Sequence, residues 1–220
     1  MADQSRELIR RIASVVGHEL RNPMAVINNS AYFVRAKLGT SGIDPKVDKH
    51  LKIIESEIAR ADRLLSDILS YSRPCEPAAE AVELDAFVAA ALKSHEAPQG
   101  CRAEFKAGAK GATVKTDPKL LGDALKRLLD NAFDAMDGKG AAKVATGVAG
   151  ESAWVAVVDS GPGVDAKIEP ILFEPFVTTK PRGLGLGLAL TKKTLGAQGG
   201  EVDCKSTAKG STFRLVLPKI

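Results

Sequence analysis

The chain has 220 residues, 45% of them hydrophobic and 26% charged, with a net charge of +4. That is long enough for one large domain or two small ones with buried cores, and it is the profile of an ordinary globular protein. Scattered positive residues exclude an electrostatic footprint for nucleic acid, and no apolar run approaches the roughly 18 residues that would cross a bilayer.

Residues 2 to about 38 read as one helix, interrupted at most by Pro23. Apolar or small residues recur at Ile9, Ala13, Val16, Leu20, Ile27, Ser30 and Val34 in alternating steps of four and three, with Pro23 in the remaining slot. That is a heptad seam of the kind that packs helices into bundles. His18 lies two residues from both Val16 and Leu20, about 200° around the helix from each, so it points away from the seam. Asn22 shares its face at i+4 and Glu19 flanks it. An exposed imidazole with a carboxylate beside it and an amide one turn away is either a reacting group or an ordinary surface histidine.

The turn formers Gly39-Thr40-Ser41-Gly42-Ile43-Asp44-Pro45 should reverse the chain. A second helix follows from about 46 to 72, with a stripe of Leu51, Ile54, Ile58, Ala61, Leu65 and Ile68. Two long helices on a short loop form a hairpin. They cannot hide their seams on all sides, so pairing with a second copy as a four-helix bundle is the natural completion. The alternative is contact with the second half of the chain. Arg73 to Glu80, with two prolines, reads as a linker. Domains are expected at 1–73 and 81–220, joined by 74–80.

Beyond the linker the texture changes to short strands near 81–83, 101–107, 112–115, 141–149, 152–158, 200–206 and 211–217, with helices near 84–96, 118–136 and 187–197. The alternation predicts a two-layer α/β or α+β domain. Cys75, Cys101 and Cys204 are odd in number and lack metal-ligand spacing, which predicts free thiols in a reducing cytoplasm.

Asp117-Pro118 opens the helix near 118–136 as a capping aspartate with proline in the first turn. Asn131 within it is a neutral oxygen donor that could help hold a magnesium ion, or a solvated side chain. The buried run Val155 to Val158 ends in Asp159-Ser160-Gly161-Pro162-Gly163. Asp159 either accepts a hydrogen bond from an exocyclic amine over a flat ring or caps a turn. Gly183, Gly185 and Gly187 alternate with leucines, and Leu188, Thr191 and Leu195 continue at helical spacing. The glycines therefore precede a helix N-terminus, where free N–H groups suit polyphosphate, with Thr178, Thr179 and Lys180 nearby. They fit neither a Walker loop nor a Rossmann fingerprint.

Assembled, these motifs resemble the catalytic core of a two-component sensor histidine kinase over almost the whole chain. His18 to Pro23 resembles the H box, Leu128 to Ala132 the N box, Asp159 to Gly163 the first glycine box, Phe173 to Lys180 the F box of the short-lid subgroup, and Gly183 to Leu188 the second glycine box. Gly199-Gly200 and Gly210 to Phe213 fall where that family closes its sheet. The resemblance implies a multidomain chain: an N-terminal helical hairpin forming a dimeric four-helix bundle, then an α/β sandwich ATP-binding domain with a mixed sheet and one helical layer, the fold shared with gyrase and MutL.

It further implies ATP and magnesium as cofactors, with Asp159 on the adenine amine and Asn131 on magnesium. Gly161 and Gly163 shape the lid base. Gly183, Gly185 and Gly187 admit the phosphates, and Phe176, Thr179, Lys180 and Leu188 complete the nucleotide set. His18 accepts phosphate, Glu19 takes or orients its other ring proton, and Asn22 positions water for dephosphorylating a partner's phospho-aspartate. The implied partners are a second copy through the hairpin and a response-regulator receiver domain. No sensor domain is legible, so that role falls to a segment outside this sequence or to another protein. Arg127, Asp134, Leu184 and Gln198 depart from the family pattern and bear on phosphate affinity and turnover. Competing readings are a nucleotide-binding dimeric scaffold that no longer transfers phosphate, and an ATPase of the same superfamily outside signalling. The latter leaves the hairpin unexplained.

Overall fold

The protein is described here by a computed structural model covering residues 2–39, 44–181 and 183–220, with the backbone course alone for 2–14. It divides into two compact units, Met1–Pro74 and Cys75–Ile220.

The first unit is a helical hairpin of α1 (Ala2–Leu38) and α2 (Pro45–Ser72). α1 runs unbroken through Pro23, although that ring removes one helix donor. Asp44 caps α2 by accepting from the Lys46 backbone N–H at 2.7 Å, and Pro45 occupies the first turn. Most of the expected turn, residues 40–43, lies outside the described residues.

The line along which α1 packs on α2 differs from the heptad seam. Gly17 and Ala31 are buried, and Arg21, Met24 and Arg35 are half-buried. Val16, Leu20, Ile27 and Val34 remain 42–50% exposed, while Ile9 and Ala13 have no described side chains. Small residues are the physical reason. A Cβ on Gly17 would come within 2.9 Å of Leu69 Cδ1, so at Gly17 α2 packs where α1 has no side chain. α2 buries Leu51 and Leu69 in return, the latter absent from the stripe expected. Polar clamps fix the register: Arg21 Nε donates to Asp62 Oδ1 and Nη2 to Ser66 Oγ, both at 2.7 Å. Near the other end, Arg35 pairs with Glu55 at 3.3 Å and Asp48 at 3.5 Å.

The second unit contains β1 (Glu80–Glu83), α3 (Leu84–Ser94), β2 (Cys101–Lys106), β3 (Thr113–Thr116), α4 (Pro118–Ala135), β4 (Gly140–Ala149), β5 (Ser152–Val158), α5 (Gly187–Gly196), β6 (Glu201–Thr207) and β7 (Gly210–Pro218). The main sheet has the order β2-β4-β5-β7-β6, and β1 and β3 form a separate pair. It is mixed, because β2 runs parallel to β4 while the other neighbours are antiparallel. Alternation puts Ala142 and Val144 of β4, Ala153, Val155 and Val157 of β5, and Phe213, Leu215 and Leu217 of β7 into one core. α4 covers that face with Leu121, Leu125, Leu128, Leu129 and Phe133, joined by Leu84 and Val88 of α3 and Leu195 of α5.

Two carboxylates anchor the helix starts. Asp117 accepts from the backbone N–H groups of Lys119, Leu120 and Ala78. Burial raises its pKa, but those donors outweigh it and hold the group below the usual carboxylate range. Asp85 likewise accepts from Thr146 Oγ1 and the Ala109 N–H, tying α3 to β4. Cys75, Cys101 and Cys204 are free thiols. Burial, reinforced by the charges of Glu169, Asp159 and Asp203, pushes Cys204 up to about 12, so it carries no thiolate near neutral pH.

Candidate functional site

His18, Glu19 and Asn22 are all exposed on α1. The His18 side chain is 77% exposed and its Nδ1 stands 3.9 Å from Glu19 Oε1. The imidazole is thus open to a reactant, with a carboxylate within a side-chain rotation of one ring nitrogen.

In the second unit, Asp159 directly follows β5 at 5% exposure. Its Oδ1 accepts from the backbone N–H of Gly161 at 2.9 Å and of Ser211 at 3.2 Å. Among the described residues no donor meets Oδ2. Oδ2 therefore keeps its accepting capacity for a ligand amine, while Oδ1 is held by the backbone. The neighbouring backbone is kept bare. A Cβ on Gly161 would lie 2.6 Å from the Ala135 carbonyl oxygen. Gly163 has φ +81°, and a Cβ there would overlap the Thr207 carbonyl oxygen.

The segment between the two glycine motifs folds back on itself. Phe176, at φ 66° and 64% exposed, donates its N–H to the Gly185 carbonyl at 3.0 Å. Gly185, at φ +72°, has no room for a side chain: its Cβ would lie 2.6 Å from the Phe176 carbonyl carbon. Thr178 Oγ1 accepts from the Lys180 N–H at 3.0 Å, and Gly183 N–H donates to the Lys180 carbonyl at 3.0 Å. Thr179 is exposed. Gly187 opens α5 with open space where a Cβ would be, and no side chain caps that terminus. Leu188, by contrast, is half-buried against the hydrophobic core.

Lys180 reaches across to α4. Its Nζ donates to Asn131 Oδ1 at 2.6 Å and Asp134 Oδ2 at 2.5 Å. An ammonium on the Asn131 oxygen is a stand-in for a cation there, so the donor set fits a phosphate-bound divalent ion. Asp159 Oδ2 and the bare glycine backbone fit the base of a nucleotide. Asp134 stands out in the sequence as a departure but its partner does not, since a contact spanning 46 residues carries no local signal.

Gln198 lies elsewhere, beyond the far end of α5 from Gly187. Its Oε1 accepts from Thr116 Oγ1 at 2.8 Å and the Asp117 N–H at 2.6 Å, and Nε2 donates to the Thr194 carbonyl at 2.9 Å. In this structure Gln198 ties α5 to the start of α4. Gln198→Ala would leave the buried Thr116 hydroxyl unpaired, so chemical denaturation should show a loss of about 1–3 kcal/mol. Nucleotide affinity of the folded protein should not change.

Residues 8–75 match the His Kinase A (phospho-acceptor) domain family, and residues 116–220 match the histidine kinase-, DNA gyrase B-, and HSP90-like ATPase family. Signal transduction histidine-protein kinase AtoS of Escherichia coli (strain K12) is 30% identical over 208 residues, covering 92% of this chain and 34% of its own length. Among solved structures, full-length ShkA in complex with AMPPNP superposes with a TM-score of 0.75 at 21% identity, over 95% of this chain and 46% of that one. Histidine kinase ThkA in complex with response regulator protein TrrA gives 0.67 at 23% identity, over 99% and 64%. These two likenesses establish the fold.

A helical phospho-acceptor domain followed by an ATPase domain of this type is the catalytic core of a two-component kinase. The chain belongs to the sensor histidine kinases. It spans 34–45% of the length of the first curated relatives it matches. Among the described residues, no helix is long and apolar enough to cross a membrane.

Proposed function

We propose that this chain binds ATP in its second unit, transfers the γ-phosphoryl group to His18, and passes it to an aspartate of a response-regulator receiver domain. The observation that carries the nucleotide reading is Asp159, a buried carboxylate with one oxygen held by two backbone donors and the other lacking a donor. That oxygen accepts from the adenine amine, and Gly161 and Gly163 let the base lie against the backbone. The exposed Phe176, Thr179 and Gly183 flank the phosphates, with Gly185 shaping the turn and Gly187 opening α5. Leu188 supports this wall from the core side.

Phosphoryl transfer needs chiefly positioning and charge neutralisation. Asn131 would hold a magnesium ion, which would supply charge neutralisation at the transferring group. Lys180 adds a second cation. The ring nitrogen of His18 remote from Glu19 forms the N–P bond as the bond from the γ-phosphorus to the bridging oxygen breaks. Glu19 takes the proton from Nδ1, the nitrogen it faces.

The partially exposed Val16, Leu20, Ile27 and Val34 support a second copy as the hairpin's partner, because the intrachain contact uses a different line of α1. Asn22, one turn from His18, suits the positioning of water for removing phosphate from the regulator. Incubation with magnesium and γ-labelled ATP should give an acid-labile, alkali-stable label on the protein, and α-labelled ATP should give none. ATP binding without any label from the γ position contradicts the kinase reading and selects the scaffold.

A further inference from the structure

Asp134 follows Asn131 by three residues on α4, so the carboxylate and the amide share a helix face. Both oxygens meet the Lys180 ammonium, Asn131 Oδ1 at 2.6 Å and Asp134 Oδ2 at 2.5 Å. Without Asp134, the pair Asn131 and Lys180 would offer a free cation to a phosphate chain. With it, the local charge is cancelled, and an incoming polyphosphate meets a carboxylate of its own sign. The oxygen chemistry that now holds an ammonium suits a hard divalent cation equally.

We propose that Asp134 makes nucleotide loading depend on a divalent cation: Asn131 and Asp134 hold Lys180 when no nucleotide is bound, and ATP enters well only with a metal that the same two oxygens accept. This rests on reading the site as an ATP site. It adds a residue that sets which ionic form of the nucleotide is taken. Metal-free ATP must draw Lys180 away from Asp134 and still face that carboxylate. The metal complex brings a cation to that carboxylate, which offsets the repulsion from the phosphates. The side chains of Lys180 and Asp134 are 44% and 60% exposed, so their substitution leaves the core untouched.

The test is calorimetric binding of a nonhydrolysable ATP analogue to the full chain, in excess magnesium and in chelator, for wild type, Asp134→Asn and Lys180→Gln. The quantity read is the ratio of the two dissociation constants. Asp134→Asn should narrow it about fivefold, the scale of one exposed like charge, mainly through tighter metal-free binding. Lys180→Gln should widen it, because the carboxylate then stands uncompensated. A wild type that binds with a ratio unmoved by Asp134→Asn, or moved the same way by both substitutions, overturns this inference alone. A wild type that binds nucleotide in neither buffer overturns the ATP site itself and the inference with it.

Discussion

Asp159→Asn is expected to weaken nucleotide binding by about 100-fold, since a hydrogen bond to a charged group contributes roughly 1.5–3 kcal/mol and the substitution also turns an acceptor into a donor. Asparagine keeps one oxygen, which can still accept from the Gly161 and Ser211 N–H groups. Its amide nitrogen then replaces the oxygen that lacked a donor and faces the base amine, donor against donor. The folded structure should survive with little change in thermal stability. Asp159→Ala provides the contrast: it also abandons the two backbone donors, so melting temperature and affinity should fall together. Equilibrium titration with a fluorescent ATP analogue, beside a thermal melt, separates the two effects. Unchanged affinity in Asp159→Asn would place the base elsewhere.

Gly185→Ala is the second large effect. Gly185 has φ +72°, and its missing Cβ would sit 2.6–2.7 Å from the backbone of Phe176 and Val177. Alanine must pay about 1–3 kcal/mol for the left-handed conformation and displace a backbone segment as well. The Phe176 N–H bond to the Gly185 carbonyl, which closes the turn, is lost. Nucleotide affinity should drop more than tenfold, and hydrogen exchange should accelerate at residues 176–185 while α4 and the central strands remain protected. Gly187→Ala is the control, since its Cβ would meet nothing within 4 Å. It should cost little stability, so any loss of affinity there reports on the ligand.

Local chemistry explains what was legible from the sequence. Asp117-Pro118 marked the start of α4 because a cap and a proline act within three residues. The helical spacing of Leu188, Thr191 and Leu195 located α5, which begins at Gly187. The mixed sheet with its helical layer followed from the alternation of elements and the family resemblance. The seam on α1 was legible as a pattern but not as a contact. Periodicity shows that Val16, Leu20, Ile27 and Val34 share a face, yet the close approach of α2 is set by Gly17 and Ala31, where bulk is absent. Asp134 and Gln198 both read as departures of the same kind. Only their partners distinguish them, since Gln198 clamps β3, α4 and α5 while Asp134 holds Lys180. Such side-chain pairings across 46 or 82 residues leave no periodic trace in a single sequence.

Phosphate from ATP is expected to arrive on one imidazole, that of His18. The most direct measurement is mass-spectrometric mapping, at neutral to alkaline pH, of the protein after incubation with ATP and magnesium. The modification is expected on the peptide carrying His18, absent from His18→Gln, and absent when Asp159→Asn chains are used at limiting ATP. Phosphate found on another residue, or retained in His18→Gln, would contradict His18 as the acceptor.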